Sequence, residues 1–190
     1  MAASCTKPWG GKIESPPMGP VNAEVAIDVP REVGFDYVAD LANRPSFSDH
    51  FISDFHLLRA ESTGVGAGAR FRVFAPPQAI WMDTTIVGLE RPHRISERGS
   101  WGRWNRIGSV TEWELLAGPG LLTTVRVTYW TEPGHPIDRL KEVFGAASVW
   151  YGRDWGVALR RLRDLLESDQ GPAGRPGVAG ASAYSTPVHQ

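Results

Sequence analysis

The feature that most constrains the fold is a change of hydrophobic period along the chain. Between residues 52 and 131, short segments alternate apolar and polar side chains, as with Phe71 and Val73 against Arg70 and Arg72, which is typical of half-buried strands. The predicted strands cover residues 52–61, 69–75, 79–90, 94–101, 105–116 and 121–131. From residue 136 to 167 the apolar side chains recur every three to four positions instead, and this pattern predicts one long helix.

The connections between these strands predict an antiparallel sheet. The links are short and carry turn residues, such as Arg91-Pro92-His93 and Ala117-Gly118-Pro119-Gly120, and consecutive strands joined in this way form hairpins. We expect the sheet to be strongly curved, with relief at Gly88, Gly99 and Gly108.

The first part of the ordered chain adds one strand and two short helices. Residues 21–29 alternate cleanly and form a predicted strand, so that the sheet has about seven. Pro30 ends this strand and suits the first turn of a helix over residues 31–39. Residues 40–51 continue as a second short helix or turn, interrupted by Asn43-Arg44-Pro45.

Composition predicts one folded domain between two tails. Residues 1–20 and 169–190 are rich in Gly, Pro and Ala without periodicity, and such segments bury too little apolar surface to offset the entropy of ordering. We therefore expect a flexible N-terminal tail, a domain over residues 21–168, and a disordered C-terminal tail.

Charge and cysteine usage exclude several classes of function. The formal net charge is −1, which offers no broad basic field to nucleic acid or to an anionic membrane. The lone cysteine, Cys5, excludes an internal disulfide and a multi-thiolate zinc site. No histidine pair has metal-ligand spacing, so neither a metal nor another cofactor is expected, although His50 could reach the mouth of a cavity. No apolar stretch long enough to span a membrane and no signal-peptide pattern is present, so we expect a cytoplasmic protein.

Several stretches carry a resemblance to a known superfamily. They are residues 25–39 (VAIDVPREVGFDYVA), 64–73 (GVGAGARFRV), 81–95 with the Glu-Arg-Pro-His-Arg-Ile turn, 111–115 (TEWEL) and 155–166. In place and order they resemble the START-like or SRPBCC superfamily, which includes polyketide cyclases/dehydrases and lipid-transport proteins. The resemblance implies an α+β helix-grip fold, in which a curved antiparallel sheet wraps a long C-terminal helix around an apolar cavity.

A sheet covered by a single helix also predicts a pocket at its open end. Alternation gives the side chains that face this pocket from the strands: Phe71, Val73, Met82, Thr84, Glu97, Trp101, Ser109, Thr111, Trp113, Val125, Val127 and Tyr129. The helix adds Phe144, Ser148, Tyr151 and Trp155. A shift of one residue in register would turn a whole set outward.

Two of these residues are candidates for proton transfer. Glu97 is either a carboxylate in an apolar cavity, able to act as an acid or a base, or a solvent-facing residue displaced by a bulge, or a partner for Arg98 or Arg94. Tyr129 is a cavity-lining residue whose hydroxyl needs a partner, and is a weaker candidate for an acid. Ser109 and Thr111 either orient a ligand or simply satisfy strand propensity.

Two further patterns leave alternatives open. Gly145, Ser148, Gly152 and Gly156 form a row of small residues in the predicted helix. This row leaves volume for a ligand, permits close packing or marks a kink, with the cavity slightly favoured. Trp81, Trp104 and Trp130 fall on outward positions or in a turn, which suggests a partner surface such as a homodimer interface.

Two functions of different classes fit these features. The favoured one is the binding or transport of a small hydrophobic molecule, such as a polyketide, an aromatic compound, an isoprenoid or a lipid. The alternative is a cyclase, aromatase or dehydratase in which Glu97 or Tyr129 moves protons. A third option is an interaction domain whose interior is filled by its own side chains.

Overall fold

A computed structural model describes residues 20–75, 78–102, 105, 107–133 and 147–168. Its elements, in chain order, are β1 (Val21–Asp28), α1 (Arg31–Ala39), a 3-10 turn (Leu41–Asn43), α2 (Arg44–Ser48), β2 (Ile52–Leu57), β3 (Gly68–Ala75), β4 (Gln78–Glu90), β5 (Arg94–Trp101), β6 (Ile107–Ala117), β7 (Leu122–Pro133) and α3 (Ala147–Glu167). Apart from Pro20, both predicted tails lie outside the described residues.

The strands form one antiparallel sheet in the order β1-β7-β6-β5-β4-β3-β2. Each strand from β2 to β6 pairs with the next one along the chain, as the short turn sequences predict. β1 instead crosses to the far end of the sheet and pairs with β7, where Val25 lies opposite Val125. This arrangement confirms the predicted helix-grip architecture.

The long helix covers the inner face of the sheet. α3 packs mainly against β1 and α2, and its buried face is formed by Trp155, Ala158, Leu159 and Leu162. The predicted helix is confirmed over residues 147–167, whereas residues 136–146 lie outside the described part of the chain. The described helices include none that is long and apolar enough to cross a membrane.

Two glycines show how the sheet bends. The register of β4 shifts between Ile86 and Gly88, which is the relief expected at Gly88. At Gly99 a Cβ atom would lie 2.5 Å from the carbonyl oxygen of Asp83 and 2.6 Å from Oγ of Ser109. Those distances leave no room for a side chain, so glycine is required where β5 passes between β4 and β6.

The predicted second strand is shorter in the structure. β2 ends at Leu57 rather than at residue 61, and its pairing with β3 is irregular between Ser53 and His56. Asp54 has a φ of 50° in this interval, a conformation that a regular strand does not allow.

Candidate functional site

The side chains predicted to face the helix are buried between the sheet and α3. Trp101 and Tyr151 are partly buried and pack against the hydrophobic core that these side chains form. Phe144 lies outside the described residues, and the side chain of Ser148 is not described. The buried members of the set are Phe71, Val73, Met82, Thr84, Glu97, Ser109, Thr111, Trp113, Val125, Val127, Tyr129 and Trp155.

A charged pair lies within this apolar interior. The guanidinium of Arg44 donates to Oε1 of Glu97 at 2.5 Å, and the two residues are only 3% and 2% exposed. Trp113 donates from Nε1 to the same carboxylate oxygen at 2.9 Å, and the Thr84 hydroxyl donates to Oε2 at 3.1 Å. We call these four residues the Arg44–Glu97 centre.

Arg44 is positioned by the short segment between α1 and β2. The Asp40 carboxylate accepts from the backbone N–H of Ala42 at 3.0 Å and so caps the 3-10 turn. The Asn43 side chain donates to the backbone oxygen of Tyr37 at 3.0 Å. These bonds fix the entry into α2, whose first residue is Arg44.

Aromatic rings hold the Arg44 guanidinium in place. Its central carbon lies 4.8 Å from the centre of a Trp113 ring and 5.9 Å from that of Phe47. A desolvated guanidinium over an aromatic face gains cation–π attraction. Trp113 therefore contacts both charges of the pair, the cation through its ring and the anion through its N–H.

The cavity beside this centre is small. Its volume is about 10 Å³, which is room for about one water molecule. The expectation of a partly empty hollow is therefore wrong for the state described, because aromatic side chains fill the space. Tyr151 lies 4.5 Å from Tyr129 between ring centres, and Trp155 lies 5.3 Å from Trp113. The lining residues are Arg44, Ile52, Phe71, Met82, Thr84, Glu97, Ser109, Thr111, Tyr129, Tyr151 and Trp155.

Two lining residues have hydrogen-bond donors without acceptors. Within the described part of the chain, Nε of Arg44 and Nε1 of Trp155 are buried and donate to nothing. A buried donor without a partner costs roughly 1–3 kcal/mol. These two lining residues therefore carry buried N–H groups that the protein itself leaves without an acceptor.

Two tyrosines complete the polar lining. The Tyr151 hydroxyl is within 3.7 Å of Sδ of Met82. Burial, followed by the proximity of Tyr129, raises the pKa of Tyr151 well above its ordinary value. Tyr151 is therefore a neutral phenol at physiological pH, able to donate a hydrogen bond.

The partner of Glu97 differs from those expected. Arg98 pairs with Glu132 on the outer surface, and Arg94 lies near Glu90 and Glu114. Glu97 faces inward and pairs with Arg44, which sequence reasoning missed. The usable signal was a lone arginine in a segment otherwise rich in buried residues, since an inward-facing carboxylate requires a cation.

His50 does not line the cavity. Its Nε2 lies 3.1 Å from the backbone oxygen of Asp154 on α3, in an exposed position. Among the described residues, no three His, Cys, Asp or Glu side chains are grouped as metal ligands.

The small residues of α3 and the outward tryptophans also have definite surroundings. A Cβ on Gly152 would lie 3.4 Å from Cγ1 of Val21, so this position serves close packing on β1, and the preference for a cavity is wrong here.

Trp81 is exposed, with the guanidinium groups of Arg70 and Arg72 over its ring. Trp130 is half-buried, and Trp104 lies outside the described residues. The homodimer interface stays a prediction.

Several solved structures have a fold similar to that of this chain. The KanY protein has a TM-score of 0.61 at 16% identity, covering 79% of this chain and 99% of that one. TTHA0849 from Thermus thermophilus has a TM-score of 0.57 at 18% sequence identity, and the match covers 76% of this chain and 94% of that one. Major latex-like protein 151 from Panax ginseng has a TM-score of 0.55 at 14% sequence identity, and the match covers 77% of this chain and 95% of that one.

Sequence comparison adds nothing to this result. No protein-family model matches the chain, and no curated protein matches it. At such low identity the structural likeness concerns the fold. The sheet order, the placement of α3 and these neighbours together show that the chain has a helix-grip fold.

Proposed function

We propose that this protein binds a small, mainly apolar molecule that carries a hydrogen-bond acceptor, between the sheet and α3 and against the Arg44–Glu97 centre. The observation that carries the proposal is the pair of buried donors, Nε of Arg44 and Nε1 of Trp155, on the lining of one cavity. A carbonyl or ether oxygen would satisfy them, while the surrounding rings and Met82 would contact the apolar body of the ligand.

The buried ion pair supports a role in binding. Removing two charges from water costs several kcal/mol per ion, and a well-packed apolar pair of similar volume is often as stable or more stable. Stability alone therefore gives little reason for the Arg44–Glu97 centre. Ligand binding gives a better one, since a few fixed polar groups in an apolar pocket determine the orientation of a ligand and the specificity of binding.

Binding requires side chains to move. The closed cavity holds about one water molecule, so a ligand must displace Tyr151, Met82 or both. The contact between them is weak, because a thioether sulfur is a poor acceptor. Methionine also changes rotamer easily. We infer that the ligand selects a conformation in which these two side chains have turned away.

A catalytic role is the second candidate. Tyr129, Tyr151 and Glu97 line one cavity, and a cyclase or dehydratase would need acid and base groups of these kinds. Glu97 nevertheless accepts from three donors, which suits an anchoring group better than a base. The geometry thus gives binding more support than proton transfer.

The experiment compares two small molecules that differ in the acceptor. Acetophenone and ethylbenzene have bodies of similar size, and only the first has a carbonyl oxygen. We expect NMR titration to show saturable binding at the Trp155 indole signal, tighter for acetophenone by roughly tenfold, the value of one or two hydrogen bonds to buried donors.

A matched pair of variants assigns the effect to the cavity. Trp155→Phe removes a donor that lines the cavity, whereas Trp101→Phe removes an equally unpartnered buried N–H that does not line it. We expect the first to abolish most of the preference for acetophenone and the second to preserve it. Equal binding of both molecules, or the same loss in both variants, would contradict the proposal.

A further inference from the structure

A second opening lies on the surface, away from the lining of the interior cavity. It is a groove of about 430 Å³, a volume in the range of small-molecule sites. The first residue of α1, the turn between β4 and β5, and the last part of β6 meet there. The lining residues are Arg31, His93, Arg94, Glu114, Leu115, Leu116 and Ala117, and none of them lines the interior cavity.

The groove has an excess of positive charge. Arg31 lies within 4 Å of no carboxylate in the described part of the chain, and its one partner there is Nδ1 of His93 at 3.1 Å. A guanidinium has no acceptor to offer, so His93 accepts at Nδ1 and keeps its other ring nitrogen as a donor. Glu114, the acidic group of the groove, is already shared by Arg94 and Arg126, each at 3.8 Å.

The two arginines also have unused hydrogen-bonding capacity. Within the described residues, Nε of Arg31 and Nε of Arg94 are both buried and donate to nothing. A planar carboxylate accepts two parallel hydrogen bonds from one guanidinium. These two Nε–H groups are covered by protein, so a carboxylate in the groove would reach them only after the two arginine side chains reorient.

The other wall of the groove is apolar. Leu115 is fully buried beneath it, while Leu116 is 45% exposed on the surface. Ala117 continues this wall at the end of β6. Cations on one side and exposed aliphatic surface on the other favour an amphiphilic anion over a bare inorganic one.

We propose that this groove binds a small organic carboxylate, with its anionic end between Arg31 and Arg94 and its short apolar body against Leu116 and Ala117. The site is separate from the interior cavity and does not depend on it. It adds to the proposed function a second ligand class, recognised by charge as well as by apolar contact.

The test uses hexanoate, with hexanol as the neutral analogue and inorganic phosphate as the bare anion. Titration of the full chain by NMR at low salt should move the His93 ring signals and the amides of residues 114–117 saturably with hexanoate. We expect hexanol and phosphate to bind at least about tenfold more weakly, because each lacks one of the two interactions. Equal binding of either one would overturn the proposal.

Variants on the surface locate the site without disturbing the interior. Arg31→Gln should weaken hexanoate binding by about tenfold, whereas Arg98→Gln, which changes an exposed arginine outside the groove, should change it by less than about twofold. Leu116→Asp should also abolish binding by repelling the carboxylate, while Leu121→Asp, at another exposed leucine, should not.

The same titration separates this proposal from the interior site. Hexanoate that moves the Trp155 indole signal and leaves His93 unchanged would bind in the interior and overturn the groove proposal. Failure of acetophenone to bind, with hexanoate still moving His93, would contradict the interior proposal alone.

Discussion

Two arginine–carboxylate pairs in this protein have similar chemistry and opposite surroundings. Arg44 and Glu97 are 53 residues apart in the chain and buried, whereas Arg91 and Asp36 are 55 apart and more than half exposed. The exposed pair has the better geometry, with two hydrogen bonds of 2.8 and 2.7 Å. The buried pair is joined through one guanidinium nitrogen and completed by Trp113 and Thr84.

The comparison shows that burial, more than hydrogen-bond geometry, decides what such a pair does. Water and salt screen the exposed pair, and pairs of this kind contribute little to stability. In the interior each charge depends on the other, so that loss of one partner is costly. The interior pair is thus the one whose disruption should cost more stability, and four predictions test the contrast.

The largest effect is expected from Glu97→Leu. This change leaves the Arg44 guanidinium buried without its anion and should lower the free energy of unfolding by about 3–5 kcal/mol. Urea unfolding measures the loss. The double variant Arg44→Met with Glu97→Leu should recover most of it, because no uncompensated charge remains. A double variant no more stable than Glu97→Leu would remove the basis of the comparison.

Gly99→Ala should disturb the Arg44–Glu97 centre through the backbone of β5. Glu97 lies two residues earlier on β5, and the new methyl group would collide with the backbone of Asp83. We expect a loss of about 1–3 kcal/mol, typical of overpacking. Gly88→Ala is the matched control, since a Cβ there lies 3.5 Å from the nearest atom. Similar losses in both variants would mean that strand glycines matter here for another reason.

Tyr151 gives the interior a sensitivity to high pH. Burial raises its pKa above the ordinary value of 10.0, so the fold favours the neutral phenol. This contribution is complete below pH 10 and is lost as pH rises towards the folded pKa. Stability measured from pH 9 upward should therefore fall less steeply in Tyr151→Phe than in the wild type. An equally steep fall in Tyr151→Phe and in the wild type would contradict the prediction.

The smallest effect is expected at the exposed pair and at low pH. The hydrogen bond from Arg91 lowers the pKa of Asp36 below its ordinary value of 3.8, so its contribution is present above pH 3.8 and is lost as pH falls through the folded pKa. Asp36→Asn should lower the melting temperature slightly at neutral pH and not at all at the acid limit. High salt should shrink the difference further. A loss of stability in Asp36→Asn as large as that in Glu97→Leu would contradict the expected difference between the exposed and the buried pair.

The sequence predicts the sheet and its inner face well, for a local reason. Alternation of side chains is a property of each strand alone, so Phe71, Thr84 and Tyr129 could be placed inward without knowledge of their neighbours. The change of period at the C-terminal part identified α3 in the same way. The strand ends were less predictable, since β2 stops where its pairing becomes irregular.

The two sites depended on contacts that no local pattern records. Arg44 falls in a segment interrupted by Pro45, and its burial follows only from where α2 packs against α3. Arg31 and Arg94 share a groove because the start of α1 meets the end of β6. The volume of the interior was equally hidden, because alternation tells which side chains face inward and not how completely they fill the space.

The pairing of β1 with β7 has a consequence for the nascent chain. Among the described strands, β1 comes first in the chain and its partner in the sheet, β7, comes last. Because the pairings from β2 to β7 are between neighbouring strands, these hairpins can form early, while β1 stays unpaired until β7 has been synthesised. A chain arrested before β7 would lack both the strand with which β1 pairs and the helix α3 that follows it, and the exposed edge of β6 would be open to a second copy.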